Sequence, residues 1–390
     1  MKLKQTPADF RVEELTEARP DGPGPFAFYR LCKTGWTTPD ALQQIARSWN
    51  LRYDQFGYGG LKDRHAETIQ YLTIFRGPKR NYTAERIDLE FLGNRFEPFS
   101  SREISANRFA VVLRDLKRDE IDPIAARAEA VGRVGMPNYF DDQRFGSVTP
   151  DGQFVAKELC LGRFENALKL ALAAPYEHDR ADAKKEKAIL LEHWADWPTC
   201  KAKLPKGHAR SLVTYLADHP TNFKGAIARL RPELQGLYLS AYQSDLWNRI
   251  LAKWLIGKFP AESLSSIQQH RGSLPVVEIV PSELEPRWNE FWLPLPSPRL
   301  KPEPEADYWA QLEAVLLEEG LSLKQLKVQG LDKPFFSKGE RVACLRPRDL
   351  RWQTAPDELN RNREKLTLNF DLPRGAYATL IVKRISGSND

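Results

Sequence analysis

Along the first third of the chain, apolar positions alternate with polar ones at a strand period and are interrupted by stretches with helical spacing. Phe26-Ala-Phe-Tyr-Arg-Leu31, Glu67-Thr-Ile-Gln-Tyr-Leu-Thr-Ile-Phe75 and Arg108-Phe-Ala-Val-Val-Leu-Arg114 are rich in aromatic and β-branched residues and are expected as strands. Thr38-Pro39-Asp40 opens a helix to about Trp49, and Asp122-Pro123 opens another to about Val134. Each start sets a capping side chain before a proline at the first helical position, where the missing N–H costs nothing. Gly135 and Pro137 stop the second helix.

From Thr149-Pro150 the pattern turns mainly helical, with helices expected near 150–161, 164–173, 181–195, 223–231 and 237–258. Ala181-Asp-Ala-Lys-Lys-Glu-Lys187 reads as a solvated helix face and Lys201-Ala-Lys-Leu-Pro-Lys206 as a loop. Prolines crowd residues 275–304, which excludes a regular helix or central strand there and leaves an irregular connection. Strand patterning returns in Lys365-Leu-Thr-Leu-Asn-Phe-Asp371 and again from Ala376 to Ile385. The expected class is α+β, with a mixed or antiparallel sheet built from both chain ends around a helix-rich middle.

With 390 residues, of which 42% are apolar, the chain has a core for two domains and lacks the composition of a disordered protein. Its 58 Lys and Arg exceed its 52 Asp and Glu by six, and the excess is regional. Residues 1–150 carry 23 basic and 21 acidic side chains, residues 151–330 carry 23 of each, and residues 331–390 carry 12 and 8. Chain ends that meet around one site would make that site basic, as a polyanionic substrate requires. No secretory leader opens the sequence and no uncharged apolar run could span a bilayer, so a cytoplasmic protein away from membranes is expected. Four scattered cysteines and six histidines show neither C-x-x-C nor H-E-x-x-H spacing, so no metal site is expected.

Chemistry concentrates in Phe56-Gly-Tyr-Gly-Gly-Leu-Lys-Asp-Arg-His-Ala-Glu-Thr-Ile-Gln70. Asp63 follows Lys62 where a phosphate-binding loop needs Ser or Thr. Lys62 and Arg64 flank that carboxylate, and such cations favour its ionised form, as suits a nucleophile. Read alone, the same triplet is equally a solvated turn. Lys4 and Phe10 precede a strand, Asn107 and Phe109 emerge on one strand face, and Asn138 to Gly146 form a polar-aromatic loop. A ring face and a side-chain amide suffice to hold one flat base, although Phe10 and Phe109 also suit a core and Asn107 a turn.

Six elements carry a family resemblance. Gly60 to Gln70 resembles the G-x-K-D-K/R-x-A-x-T-x-Q signature of the TruD family of tRNA pseudouridine synthases. Lys4 to Val12 is similar to that family's K-x-x-P-x-D-F-x-V element, Asn107-Arg-Phe109 to its N-x-F, and Pro137 to Gly146 to its P-N-Y-F-x-x-Q-R-F-G box. Ser240 to Asn248 and Phe370 to Thr379 complete the set, with Trp247 where the family usually has Phe.

The resemblance implies a pseudouridine synthase-like catalytic domain, residues 1–150 and 331–390, split by a helical insertion, 151–330, whose long helix near 237–258 packs on it. It implies isomerisation of uridine 13 of tRNA with Asp63 as nucleophile, without a cofactor or protein partner, by a monomer. Phe10, Asn107 and Tyr377 would contact the uridine and Phe109 would stack on its base. Lys4, Gln143 and Arg144 would bind substrate, and Lys62 and Arg64 would tune Asp63 or hold phosphates. Another RNA target, or RNA binding without catalysis, is the competing reading. Attack at C6 of the base and attack at C1′ of the sugar both stay open.

Overall fold

A computed structural model describes residues 1–176, 179–328 and 335–387. Two compact units form, Met1–Met136 with residues 345–387, and Pro137–Cys344. They divide near 136/137 and 344/345 and not at the expected 150/151 and 330/331. Inside the second unit, Asn138 N–H donates to Ala343 O at 2.7 Å, and Arg341 Nε donates to Asn138 O at 2.7 Å. Counted from the sequence, residues 1–136 with 345–390 hold 31 Lys and Arg against 25 Asp and Glu, and residues 137–344 hold 27 of each. The first unit therefore carries the whole excess.

In the first unit the long strands are β1 (Phe10–Thr16), β2 (Phe26–Thr34), β3 (Glu67–Phe75), β4 (Ile87–Arg95), β5 (Ile104–Leu116), β6 (Arg348–Pro356) and β7 (Glu364–Pro373). They form one mixed sheet in the order β6-β7-β5-β1-β3-β2-β4, with β1 parallel to β3 and β5 antiparallel to β1 and β7. Register decides what meets. Val12 lies opposite Phe109, Glu14 opposite Asn107, and Phe370 opposite Phe109, so these side chains share one face. On helix α1 (Thr38–Trp49), Ala41, Leu42 and Ile45 join a buried cluster with Leu31, Leu72 and Leu89 of the sheet.

Three local expectations need correction. The cap of α1 is Thr37, whose Oγ1 accepts from Asp40 N–H at 3.2 Å, so Thr38 is already helical and Pro39 is second in the helix. Helix α2 (Arg118–Val134) starts before Asp122 and encloses Pro123, because the Glu120 carboxylate accepts the Lys117 N–H at 2.6 Å and closes an earlier first turn. Residues 378–386, expected as a strand, are helical: Ala378, Ile381, Val382 and Ile385 recur at i, i+3, i+4 and i+7, and all are buried.

The second unit is built on helix Pro232–Lys258, which buries Tyr242, Trp247, Ile250, Leu251 and Trp254. The expected 150–161 helix runs only from Val155 to Cys160. Lys201 and Lys203, expected in a loop, end helix Trp197–Lys203, and helices His208–Asp218 and Trp309–Glu318 were not anticipated. The proline-rich stretch contains short regular pieces where proline does least harm. Pro275 lies in hairpin Leu264–Gln269/Gly272–Val277, and Pro286 lies in the first turn of helix Glu285–Glu290. Among the described residues no helix is long and apolar enough to cross a membrane.

A buried arginine ties the first unit together. Arg114 on β5 donates to Asp9 at 2.8 Å, to Asp357 at 2.8 Å and to Glu358 at 2.9 Å, joining the amino-terminal segment to the β6–β7 connection. Burial pushes the Asp357 carboxyl up, but hydrogen bonds from Asp115 N–H, Asn360, Leu359 N–H and Arg114 outweigh it and hold it far below the usual carboxylate range. Its folded pKa is depressed, so its stabilisation is present above the unfolded value and is lost as pH falls below it. Arg114→Met leaves two buried carboxylates uncompensated and should cost about 3–5 kcal/mol of unfolding free energy at pH 7. Urea unfolding measures it, and a loss below about 1 kcal/mol would contradict the role given to this group.

Candidate active site

The segment between strand Phe56–Tyr58 and β3 carries the charged triplet, and it is fixed from beneath by buried polar groups. Thr38 Oγ1 accepts from Lys62 N–H at 3.0 Å and donates to Gln70 Oε1 at 2.8 Å, while Gln70 Nε2 donates to Gly60 O at 3.5 Å. Lys33, on the inward side of β2, donates to the carbonyls of Trp36 at 2.7 Å, Asp63 at 3.2 Å and Lys62 at 3.5 Å. Burial pulls the Lys33 ammonium down to about 8, with the Asp63 charge opposing and the Lys62 charge reinforcing that shift. Gly59 is required by packing, since a Cβ there would lie 2.2 Å from Ile104 Cδ1.

Side chains of the triplet diverge. Lys62 turns inward, 3.0 Å from Glu14 Oε1, and donates to Asn107 Oδ1 at 2.7 Å. Arg64 turns to the Gly35 carbonyl at 3.2 Å. The cation on Asp63 is instead Lys4, whose Nζ donates to Oδ2 at 2.8 Å, while His65 N–H donates to Oδ1 at 3.1 Å. Electrostatic tuning by the two chain neighbours, the reading the sequence suggested, is thus replaced by a contact across 59 residues. Adjacent side chains on a sharply turning backbone point apart, and the buried Glu14 claims Lys62.

The two carboxylates differ accordingly. For Glu14, fully buried, desolvation raises the pKa and is only partly offset by the Lys62 charge and the Tyr71 N–H. For Asp63, 38% exposed, desolvation also pushes upward, but the Lys4 and His65 hydrogen bonds and the Lys4 charge win and the pKa falls. Lys4 has φ 51°, a left-handed backbone uncommon for lysine, and its ammonium also lies 4.2 Å from the Phe10 ring centroid.

Phe10, Phe109 and Phe370 form an aromatic row: Phe109 stacks on Phe370 at 5.6 Å and 24°, and Phe10 meets Phe109 edge-on at 6.2 Å. Phe109 is only 8% exposed and one of its faces is occupied. Lys4, Phe10, Lys62, Asp63, Asn107 and Phe109 are thereby linked by direct contacts. Tyr377 caps helix Ala378–Ser386 beyond the end of β7, the strand paired with the one bearing Asn107. Gln143 and Arg144 belong to the second unit, where Arg144 donates to Ser244 Oγ at 3.2 Å. Glu14, Lys33 and Thr38 were missed. Strand alternation could have found two of them, because Phe10, Val12 and Glu14, and likewise Tyr29, Leu31 and Lys33, are inward positions.

Comparison with known proteins follows this geometry. The family model for tRNA pseudouridine synthase D matches residues 1–266 and 292–385. The chain belongs to the TruD family. A Methanococcus maripaludis relative named probable tRNA pseudouridine synthase D 1 is 30% identical over 99% of each chain. The Aquifex aeolicus tRNA pseudouridine synthase D is 27% identical over 99% of this chain and 98% of its own. A crystal structure assigned as TruD, from Methanosarcina mazei, superposes with a TM-score of 0.74 at 24% identity, covering 100% of this chain and 94% of that one. The α+β architecture with its helical insertion is therefore a TruD fold.

The buried lysine gives a test. Its folded pKa near 8 lies below the ordinary 10.5, so its stabilising contribution is least below pH 8 and grows as pH rises from 8 toward 10.5. The stability difference between the natural protein and Lys33→Met should shift in favour of the natural protein by about 1–2 kcal/mol from pH 7 to 9.5. Denaturant unfolding at the two pH values measures it, and no shift would mean that Lys33 is not buried as a cation.

Proposed function

We propose that this chain converts a uridine of tRNA, uridine 13 by family resemblance, to pseudouridine with Asp63 as nucleophile. The observation that carries the reading is an anionic Asp63 held by Lys4 and His65 N–H at the edge of an aromatic row, with its side chain still accessible. Relatives named tRNA pseudouridine synthase D support tRNA as the substrate.

The reaction breaks C1′–N1 of uridine and forms C1′–C5. N1 gains a proton and C5 loses one, so no redox partner is needed. Asp63 attacks either C1′, which frees the uracil, or C6, which gives a covalent base adduct, and each route needs an ionised carboxylate. The target must leave its stack first. Lys62 occupies Asn107 Oδ1, which leaves the Nδ2 donor for a uracil carbonyl. A cytosine would present an amino group at the same edge and be rejected. Phe10 and Phe109 supply the apolar edge for the base, and Tyr377 is the further contact. Phe109 has no hydroxyl, so the C5 proton leaves through water or another group. Arg64 uses Nε on Gly35 O, which leaves its terminal nitrogens for phosphate.

Asp63→Asn should abolish tritium release from tRNA labelled at uridine C5 while tRNA affinity stays within a few-fold; turnover retained by that variant would end the nucleophile assignment. Lys4→Met removes the main hydrogen bond that lowers the Asp63 pKa, so the acid limb of kcat/KM should move to higher pH. An acid limb unmoved in the pH–rate profile would show that Asp63 does not set it.

A further inference from the structure

Charge in the second unit is segregated. Residues 201–231 hold seven Lys and Arg against a single acid, Asp218, while the remainder of 137–344 holds 20 basic and 26 acidic side chains. Three short helices carry this stretch, Trp197–Lys203, His208–Asp218 and Phe223–Ala228. Leu212, Val213, Leu216, Ala226 and Ile227 fill their inner side, and Lys201, Lys203, Lys206, Lys224, Arg229 and Arg231 are exposed.

Contacts draw these cations to one corner. Arg231 N–H donates to His208 Nε2 at 3.4 Å, which brings Arg231 beside Lys206 and Arg210. The Arg229 guanidinium lies 3.7 Å from the Tyr215 ring centroid, and the His219 ring stacks on Tyr215 at 4.5 Å. Among the described residues no carboxylate lies within ion-pair distance of any of the seven. Elsewhere in the same unit Lys157, Lys187, Arg249, Lys253, Arg271 and Arg287 each hold one. Like charges gathered without partners repel and weaken the fold, so their counter-charge has to come from outside. No large apolar side chain is exposed between 201 and 231, so the corner lacks the apolar face that inserts into a lipid surface. Its flat Arg229–Tyr215–His219 stack and rigid cations fit RNA better.

We propose that this three-helix corner is an RNA-docking surface that takes the sugar-phosphate backbone of the substrate tRNA. The inference rests on the reading of the chain as a tRNA-modifying enzyme and adds where the substrate is gripped. Phosphate contacts set affinity and position without reading sequence. The corner therefore acts in binding and leaves the chemical step alone.

The experiment is the combined variant K201Q/K206Q/R231Q, assayed with an unmodified tRNA transcript by filter binding across a salt series and by steady-state turnover. Loss of three phosphate contacts should flatten the plot of log affinity against log salt by roughly 2–3. KM should rise about tenfold or more with kcat within about twofold, the split expected when binding alone is removed. An unchanged salt slope and KM, beside a natural protein that binds and modifies the transcript, would overturn the docking surface alone. A natural protein that neither binds nor modifies tRNA would overturn the functional reading and the docking surface with it. A loss of kcat at unchanged KM would also count against the surface, because cations that only grip phosphate cannot produce it.

Discussion

One ammonium group organises the first unit. Lys62 Nζ stands between the buried Glu14 carboxylate and the Asn107 amide, and through them the 59–66 segment is fastened to β1 and β5. A buried ion pair of this kind adds little net stability over an apolar replacement, yet breaking it by removing one partner costs roughly 3–5 kcal/mol. Its value lies in position. With Lys62 committed inward and its N–H held by Thr38, the next side chain has to turn the other way, toward Lys4.

The same sheet face therefore holds two carboxylates in opposite states. Glu14 is sealed from water and pushed toward its neutral form, with Lys62 opposing that tendency. Asp63 sits at the boundary, where one cation and one backbone N–H keep it ionised while solvent and substrate can still reach it. Environments that drive two carboxyls apart assign one to structure and one to chemistry. Lys33 extends the logic: a lysine buried at an inward strand position is expensive, and this one donates to the carbonyls of Lys62 and Asp63 themselves.

Much of this was legible from local pattern. Strand β3 was read with its exact bounds from its alternation, helix α1 from its proline and capping residues, and family membership from six short elements in order. Contacts that depend on sheet pairing were not legible. Glu14 and Lys62 are 48 positions apart and meet only because β1 runs beside β3 and β5, so the neighbours of Asp63 in sequence were given the tuning role that Lys4 holds. Regional charge was informative twice. The excess at the chain ends belongs to the unit bearing Asp63, and the neutral middle conceals a basic corner balanced by an acidic remainder. Averaging over a whole segment hid it.

If the Lys62 clamp places Asp63, then removing the clamp must stop chemistry without touching the nucleophile. The direct measurement is pseudouridine formed per enzyme in a single-turnover assay on tRNA by Lys62→Met, with folding checked by circular dichroism. The account predicts a folded protein whose rate falls by about a hundredfold or more, the scale seen when a reacting group is displaced by about 1 Å. A folded Lys62→Met protein that forms pseudouridine at the natural rate would contradict it.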